Sequence, residues 1–432
     1  MKKLGICLLA MLFCATCVAQ RIDQLVKQKD VERIIRTLTA DDMQGRGTFT
    51  PGIDKAASFI ASEFKKIGLQ PLPGERDFRQ SFTMMRVKPD SQKIVIDGKT
   101  IADENAIVIT DQLLLNLNSA SGTEVIKIEA GKEFMSRYSE IMEMKSLVLV
   151  LVDPVYADVF KSLHDYNKAG RIVEKLNEKS GAVFILGETA AKDFSINFSN
   201  QVENLSLFNV AGIIPGKSKS KELVIFSGHY DHLGIIKPSE NDSIANGADD
   251  DASGITAMIS LAKYYKKLNN NQRTLVFVAF TAEEIGGFGA RYFSKKLNPD
   301  DVIAMFNIEM IGKDSKFGKN SAFITGYEKS DFGEILQRNL TGTGFKFYPD
   351  PYPKQNLFYR SDNATLAALG VPAHTISTDQ IDTDKFYHTV NDEFETLDVS
   401  NIIATIKAIA LSSKTIVAGT DTPKRIPKLK KQ

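Results

Sequence analysis

The sequence predicts an α/β protein: a three-layer, mostly parallel sheet with helices on both faces, and an inserted β-rich domain. Three observations predict it. After Pro215, short apolar runs alternate with helical segments, the pattern of a parallel sheet covered on both sides. Between about residues 85 and 200 that alternation gives way to strand-like runs, as an insertion would produce. The 432 residues are 43% hydrophobic and 25% charged, values of a globular chain with a real core and room for more than one domain. Disorder, collagen-like repeats and a multi-span membrane protein are excluded by the same numbers. The formal charge of +1, from 54 Lys and Arg against 53 Asp and Glu, gives no reason to expect nucleic acid as a partner.

The elements follow in order. Lys2 and Lys3 precede an uncharged stretch over residues 4–20, and Cys17, Val18 and Ala19 offer small side chains where a signal peptidase reads. Residues 1–19 are therefore expected to be a signal peptide cleaved before Gln20. An uncleaved anchor is disfavoured because the stretch is short for a span. A lipoprotein is weaker still, since Cys14 rather than Leu stands three positions before Cys17. Cleavage takes the charge to −1 and removes Cys7, Cys14 and Cys17, all the cysteines. The expected product is exported, to the periplasm or the exterior, without disulfides, thiolate ligands or stable membrane insertion. Any metal must then sit on His, Asp and Glu, which leaves zinc, manganese or calcium. Nothing in the sequence assigns an oligomeric state.

Residues 29–40 and 54–68 carry apolar side chains at helical spacing, and Gly68 is a natural stop. Within the insert, 146–152 and 182–186 read as strands, with a helix near 168–179. Beyond it, 222–227, 274–281, 302–310 and 371–377 read as strands, and 255–267 and 399–412 as helices. The main domain is thus assigned to 20–84 with 201–420, and the insert to 85–200. Residues 421–432 carry five basic residues, one acid and two prolines, and are expected to be a solvated, disordered tail.

Function gathers at the carboxyl ends of strands in such sheets. Of the five histidines, His164, His229, His232, His374 and His388, His229 follows the strand V-I-F-S in G-H-Y-D-H-L-G. Asp231, two residues on, is placed to orient its imidazole. Next comes N-G-A-D-D-D-A-S-G, residues 246–254, opening a helix. Three adjacent acids there serve either as helix caps or as ligands. A helix–loop–helix calcium site fails, because its twelfth position is Ser260. Glu283 and Glu284 close an apolar strand, so one carboxylate can bind a metal while the other acts as general base. Glu309 stands alone in M-F-N-I-E-M-I-G, where a buried acid needs a cation. F-Y-H-T-V-N-D-E brings His388, with Asp392 near it. Taken together, these clusters supply ligands for two divalent metals plus a free Glu base.

The motifs G-H-Y-D, G-A-D-D-D-A-S-G, the E-E pair, N-I-E-M-I-G, S-D-N and Y-H-T resemble, in order, those of secreted zinc aminopeptidases of metallopeptidase family twenty-eight. Glutamate carboxypeptidases and glutaminyl cyclases are relatives. The resemblance covers residues 30–82 and 205–413, and D-D-M-Q-G-R-G-T-F-T-P-G-I-D-K is typical of such peptidases. The stretch A-G-R-I-V-E-K-L-N-E-K-S-G-A-V-F-I-L resembles a protease-associated domain less specifically. The resemblance implies an exopeptidase with two zinc ions acting on peptides. Asp250 would bridge them and join Asp251 through a cis peptide. His229 and Glu309 would complete one metal, Glu284 and His388 the other. Glu283 would be the base acting on a bridging water, Tyr387 would stand near the oxyanion, and Asp231 would orient His229. Three positions depart from the family: Glu309 where Asp is usual, Asn363 for the histidine of S-D-H, and His232 where Ser is common. The competing readings are a glutaminyl cyclase with one zinc and a catalytically silent binding module.

Overall fold

The computed structural model describes residues 22–239 and 241–429; the expected leader lies outside them. The described chain forms two compact units. One contains the residues up to Phe82 together with those from Leu207 onward, and the other is Thr83–Ser206.

In the first unit, α1 (Gln28–Leu38) buries Val31, Ile34, Ile35 and Leu38, the i, i+3, i+4, i+7 stripe of an amphipathic helix. Helix α2 (Pro51–Ile67) opens on a proline, whose missing N–H costs nothing there, and stops at Gly68 with φ 83°. From β1 (Lys219–His229) the chain alternates through α3 (Gly254–Leu268), β2 (Arg273–Phe280), α4 (Phe288–Lys295) and β3 (Val302–Ile308). It continues through β4 (Ser321–Ile324), α5 (Phe332–Asn339), β5 (Lys346–Pro349), α6 (Asn363–Ala368), β6 (Ala373–Ser377) and α7 (Val399–Ser412). The strands lie in the order β5, β4, β6, β3, β1, β2, followed by the end of the strand Phe194–Ile214. β1 pairs in parallel with both β2 and β3, and β3 with β6. Antiparallel pairs join β4 to β6 and residues 210–214 to β2.

Alternate side chains show why these runs are wholly apolar. Val224 and Phe226 join one buried cluster with residues of α1, α2, α3, α5 and α7, whereas Ile225 joins another with Phe293 of α4 and Leu366 of α6. A strand buried on both faces has no polar side to show. β1 is central, and its register sets His229 opposite Phe280, the last residue of β2, and Ser227 opposite Asn307, two residues before Glu309. Three strand ends carrying the sequence's acids and His229 therefore lie side by side.

The second unit holds a four-stranded sheet in the order Ala106–Thr110, Gly181–Leu186, Leu147–Val152, Glu124–Ile128. Its two faces bury separate apolar clusters, one including Leu149 and Val183, the other Val148 and Ala182. The helix expected near 168–179 is not there. The helix lies earlier, at Ala157–Ala169, and Gly170 with φ 92° follows it. The β-branched Ile172 and Val173 then sit in a strand that pairs antiparallel with Met85–Val87.

The expected disordered tail is corrected as well. Residues 421–429 take no regular secondary structure but are fixed to the first unit. Ile426 is buried in the cluster of Phe293 and Leu366, and its N–H bonds Gly370 O at 3.2 Å. Lys424 N–H donates to Asp331 and Arg425 Nη1 to Val302 O, each at 2.7 Å. One apolar anchor and paired backbone groups outweigh the basic, proline-containing composition. Residues 430–432 lie outside the described chain. Among the described residues, no helix is long and apolar enough to cross a membrane.

Candidate metal centre

His229 is the last residue of β1, and its ring is fixed by a bond between Nδ1 and the Asp231 carbonyl at 3.1 Å. The other nitrogen, Nε2, is buried without a directed hydrogen-bond partner, 3.1 Å from Asp250 Oδ1. Asp250 Oδ2 lies 3.4 Å from His388 Nε2, which in turn is 3.2 Å from Glu284 Oε2. His229, Asp250 and Glu284 offer three ligand atoms within 4.8 Å of one another. Glu283 and Glu309 line the same cleft, with Tyr387 stacked on His388 at 3.9 Å between ring centroids. The structure thus brings every residue proposed from sequence as ligand or base into one place. Glu309 lies one residue beyond β3 rather than within a strand.

The acids around this centre also build it. The Asp250–Asp251 peptide is cis. Asp251 is fully buried and accepts from the backbone N–H groups of His229, Gly254 and Met310 at 3.0–3.2 Å. It therefore ties β1, α3 and the residues after β3 together. Asp392 is not a partner of His388 but clamps the loop over residues 246–254, the ligand loop of the reading from sequence, accepting from the N–H groups of Asp249 and Asp250 at about 3.0 Å. Asp231 orients His229 through its carbonyl rather than its side chain. Its carboxylate instead receives the N–H groups of Glu283 and Glu284 at 3.1 and 3.3 Å.

Below the loop, the fully buried Arg46 guanidinium donates to the carbonyls of Leu38, Tyr230, Asn246, Gly247 and Asp250. A further group, Asp249, Asp379 and Asp384, already holds an ammonium. Lys313 Nζ is 2.6 Å from Asp384 Oδ2 and 3.4 Å from Asp249 Oδ2. That contact ties the segment leading to His388 against the ligand loop.

Electrostatics test whether cations fit. Burial, reinforced by neighbouring carboxylates against the pull of His229, pushes Glu283, Glu309 and Asp362 above the usual carboxylate range. Both Asp362 oxygens are buried without partners. Burial alone would raise Asp250 too, but His232, His229 and His388 hold it well below that range. Burial opposes the charged form of His388, yet Asp250 and Glu284 push it up to about 10. So many buried oxygens, with an unpartnered His229 nitrogen facing them, form a hard-donor set that divalent cations satisfy.

Two departures from the family pattern acquire a place. Asn363 is fully buried and turned into the fold, donating to Phe358 O and Ala373 O and accepting from Thr375 Oγ1. His232 lies inside the centre, 2.8 Å from Glu284 Oε1. Sequence reading missed Arg46, His232 and Asp362 as parts of the site. The repeated histidine of H-Y-D-H was a signal for His232; nothing local marks Arg46 as buried.

Residues 209–412 match Peptidase family M28, the family that the motifs resemble. A probable zinc metalloprotease of Leptosphaeria maculans is 30% identical over 106 residues, 24% of this chain and 24% of that protein. Nicalin of Caenorhabditis elegans is 22% identical over 319 residues, 64% of this chain and 54% of nicalin. The matches thus span about a quarter to a half of these relatives' length. An aminopeptidase from Aneurinibacillus sp. strain AM-1 shares the fold, with a TM-score of 0.54 at 18% identity over 95% of this chain and 97% of the other.

Proposed function

Proceeding from a chain whose residues 209–412 form a Peptidase family M28 domain, we propose that it is an exopeptidase removing N-terminal amino acids from peptides, with two zinc ions and Glu283 as general base. The observation that carries this reading is the division of the Asp250 carboxylate, Oδ1 facing His229 at 3.1 Å and Oδ2 facing His388 at 3.4 Å. A carboxylate that turns one oxygen to each histidine is suited to serve two cations at once, which supports the two-metal reading. In this reading His229 and Glu309 complete one, and Glu284 and His388 the other. Zinc bound there would act as a Lewis acid on the scissile carbonyl and on the attacking water.

The remaining chemistry belongs to the chain. Glu283 takes a proton from the attacking water at its carboxylate and returns it to the leaving amine. Burial raises the Tyr387 phenol above its ordinary value, with the nearby acids adding to the effect, so it stays protonated and serves as a donor to the developing oxyanion. Met310, Phe323, Leu357 and Ile381 line the cleft beside the ligands and receive the terminal side chain. Export to the periplasm or the exterior fits a chain whose three cysteines all precede residue 20.

The test is a scan of purified protein against aminoacyl-arylamides, their N-acetylated forms and N-terminal Gln peptides, with zinc content measured alongside. Two zinc ions per chain, hydrolysis of the free-amine substrate and none of the acetylated one are expected. Glu283→Gln should lower turnover by about three orders of magnitude with both metals retained. Loss of a metal in that variant would exchange the roles of Glu283 and Glu284. Pyroglutamate formation at one zinc per chain, without arylamide hydrolysis, would overturn the peptidase in favour of a cyclase.

A further inference from the structure

We infer that His232 is a positioning residue of the metal centre, reserving one oxygen of Glu284 so that the other is presented to the metal held with His388. The inference rests on the two-metal reading above. Glu284 divides its oxygens between two histidines, with Oε1 2.8 Å from His232 Nδ1 and Oε2 3.2 Å from His388 Nε2. Because Nδ1 faces a carboxylate oxygen, it is the donor. The same nitrogen lies 3.7 Å from Asp250 Oδ2, the oxygen that also faces His388. A carboxylate with both oxygens free can swing between one- and two-oxygen ligation. Tying Oε1 removes that freedom.

A histidine that merely fills the core looks different in this protein. His374 is equally buried, but both ring nitrogens are bonded at 2.8 Å, one to Ser330 Oγ and the other to Thr325 O. His232 leaves Nε2 buried without a partner and spends its bond on Glu284. The fold also makes room for this ring. Gly247 stands at φ 56°, and a Cβ there would come within 2.6 Å of the imidazole. The His232 N–H donates to Arg46 O at 3.2 Å, so the residue that organises the ligand loop also seats this histidine.

Three variants test the assignment. His232→Leu removes the donor, His232→Asn places an amide nitrogen near the Nδ1 position, and His232→Gln places one near Nε2. Zinc dissociation constants are measured by chelator competition, and apo-protein melting reports folding. In the Leu variant one zinc should weaken about 10–100-fold while the other is unchanged. Asn should return affinity and turnover close to wild type, and Gln should not. Unchanged zinc binding in the Leu variant would overturn the inference. So would an equal loss of both zinc ions that Asn fails to rescue, accompanied by a lowered apo melting point. Wild-type protein that holds fewer than two zinc ions and hydrolyses nothing would instead bring down the peptidase reading, and the inference with it.

Discussion

Replacing Arg46 by Lys keeps the buried charge and changes only its geometry. Arg46 is fully buried and makes five hydrogen bonds, to Tyr230 O and Leu38 O at 2.9 Å, Asn246 O at 2.6 Å, Gly247 O at 2.8 Å and Asp250 O at 3.3 Å. An ammonium has three donors, so at least two of these five bonds are lost; Gly247 O also accepts from Ala252 N–H at 3.3 Å, so at least one carbonyl is left without a partner. A buried carbonyl without a partner costs about 1–3 kcal/mol, and the loss should be at least of that size. The long-range attraction to Asp250, Asp392, Asp251 and Asp231 persists, which isolates the hydrogen-bond contribution. Arg46→Met removes the charge too and should cost more, since an uncompensated buried carboxylate group remains. Urea unfolding followed by circular dichroism, with a chelator present, measures the effect apart from bound metal. Zinc affinity of the folded variants should fall in parallel, because three of the five carbonyls belong to the ligand loop. A Lys variant within about 0.5 kcal/mol of wild type, with unchanged zinc binding, would refute this account.

Two further outcomes are expected. Glu309→Ala should lower occupancy of the zinc held with His229 and leave the other nearly full; two equivalents of zinc with full activity would mean that the carboxylate is structural. Burial pushes His374 down to about 4 from 6.5, against the opposing bond to Thr325. The unfolded chain therefore binds a proton across that window while the folded protein does not. Stability contributed by the neutral ring should be complete above about pH 6.5 and fall by roughly 1.4 kcal/mol per unit as pH drops towards 4. Comparing urea midpoints of wild type and His374→Asn from pH 4 to 7 checks this, and a difference between them that does not vary with pH would sink it.

The residues proposed as ligands and base at the strand ends were legible in the sequence because each sits where a local pattern breaks. His229 ends an apolar run, Glu283 and Glu284 follow another, and Glu309 interrupts a third. Strand periodicity is set by the chain's own alternation and by burial on both faces, so the runs at 222–227, 274–281 and 302–310 correspond to β1, β2 and β3. The strands Ser321–Ile324 and Lys346–Pro349 escaped notice, being only four residues each. Short segments carry too little periodic signal to separate from turns.

What the sequence alone determined was the alternation of elements and the points where apolar runs break, at His229, at Glu283 and Glu284, and at Glu309. Tertiary structure decided which groups those residues meet. Arg46 reaches a carbonyl 204 residues away, and Asp392 bonds the backbone of a loop more than 140 residues earlier. Asp231 was placed beside His229 by spacing, but only packing showed its carbonyl on the imidazole and its carboxylate on the Glu283–Glu284 backbone. The composition of 421–429 favoured solvent, yet Ile426 found a cluster built from β2, α4 and α6. Propensity and periodicity act over a few residues and can be read along the chain. Burial of a charge, or the satisfaction of a distant carbonyl, depends on which surfaces close over it, and that is settled only when the whole sheet and its helices have packed.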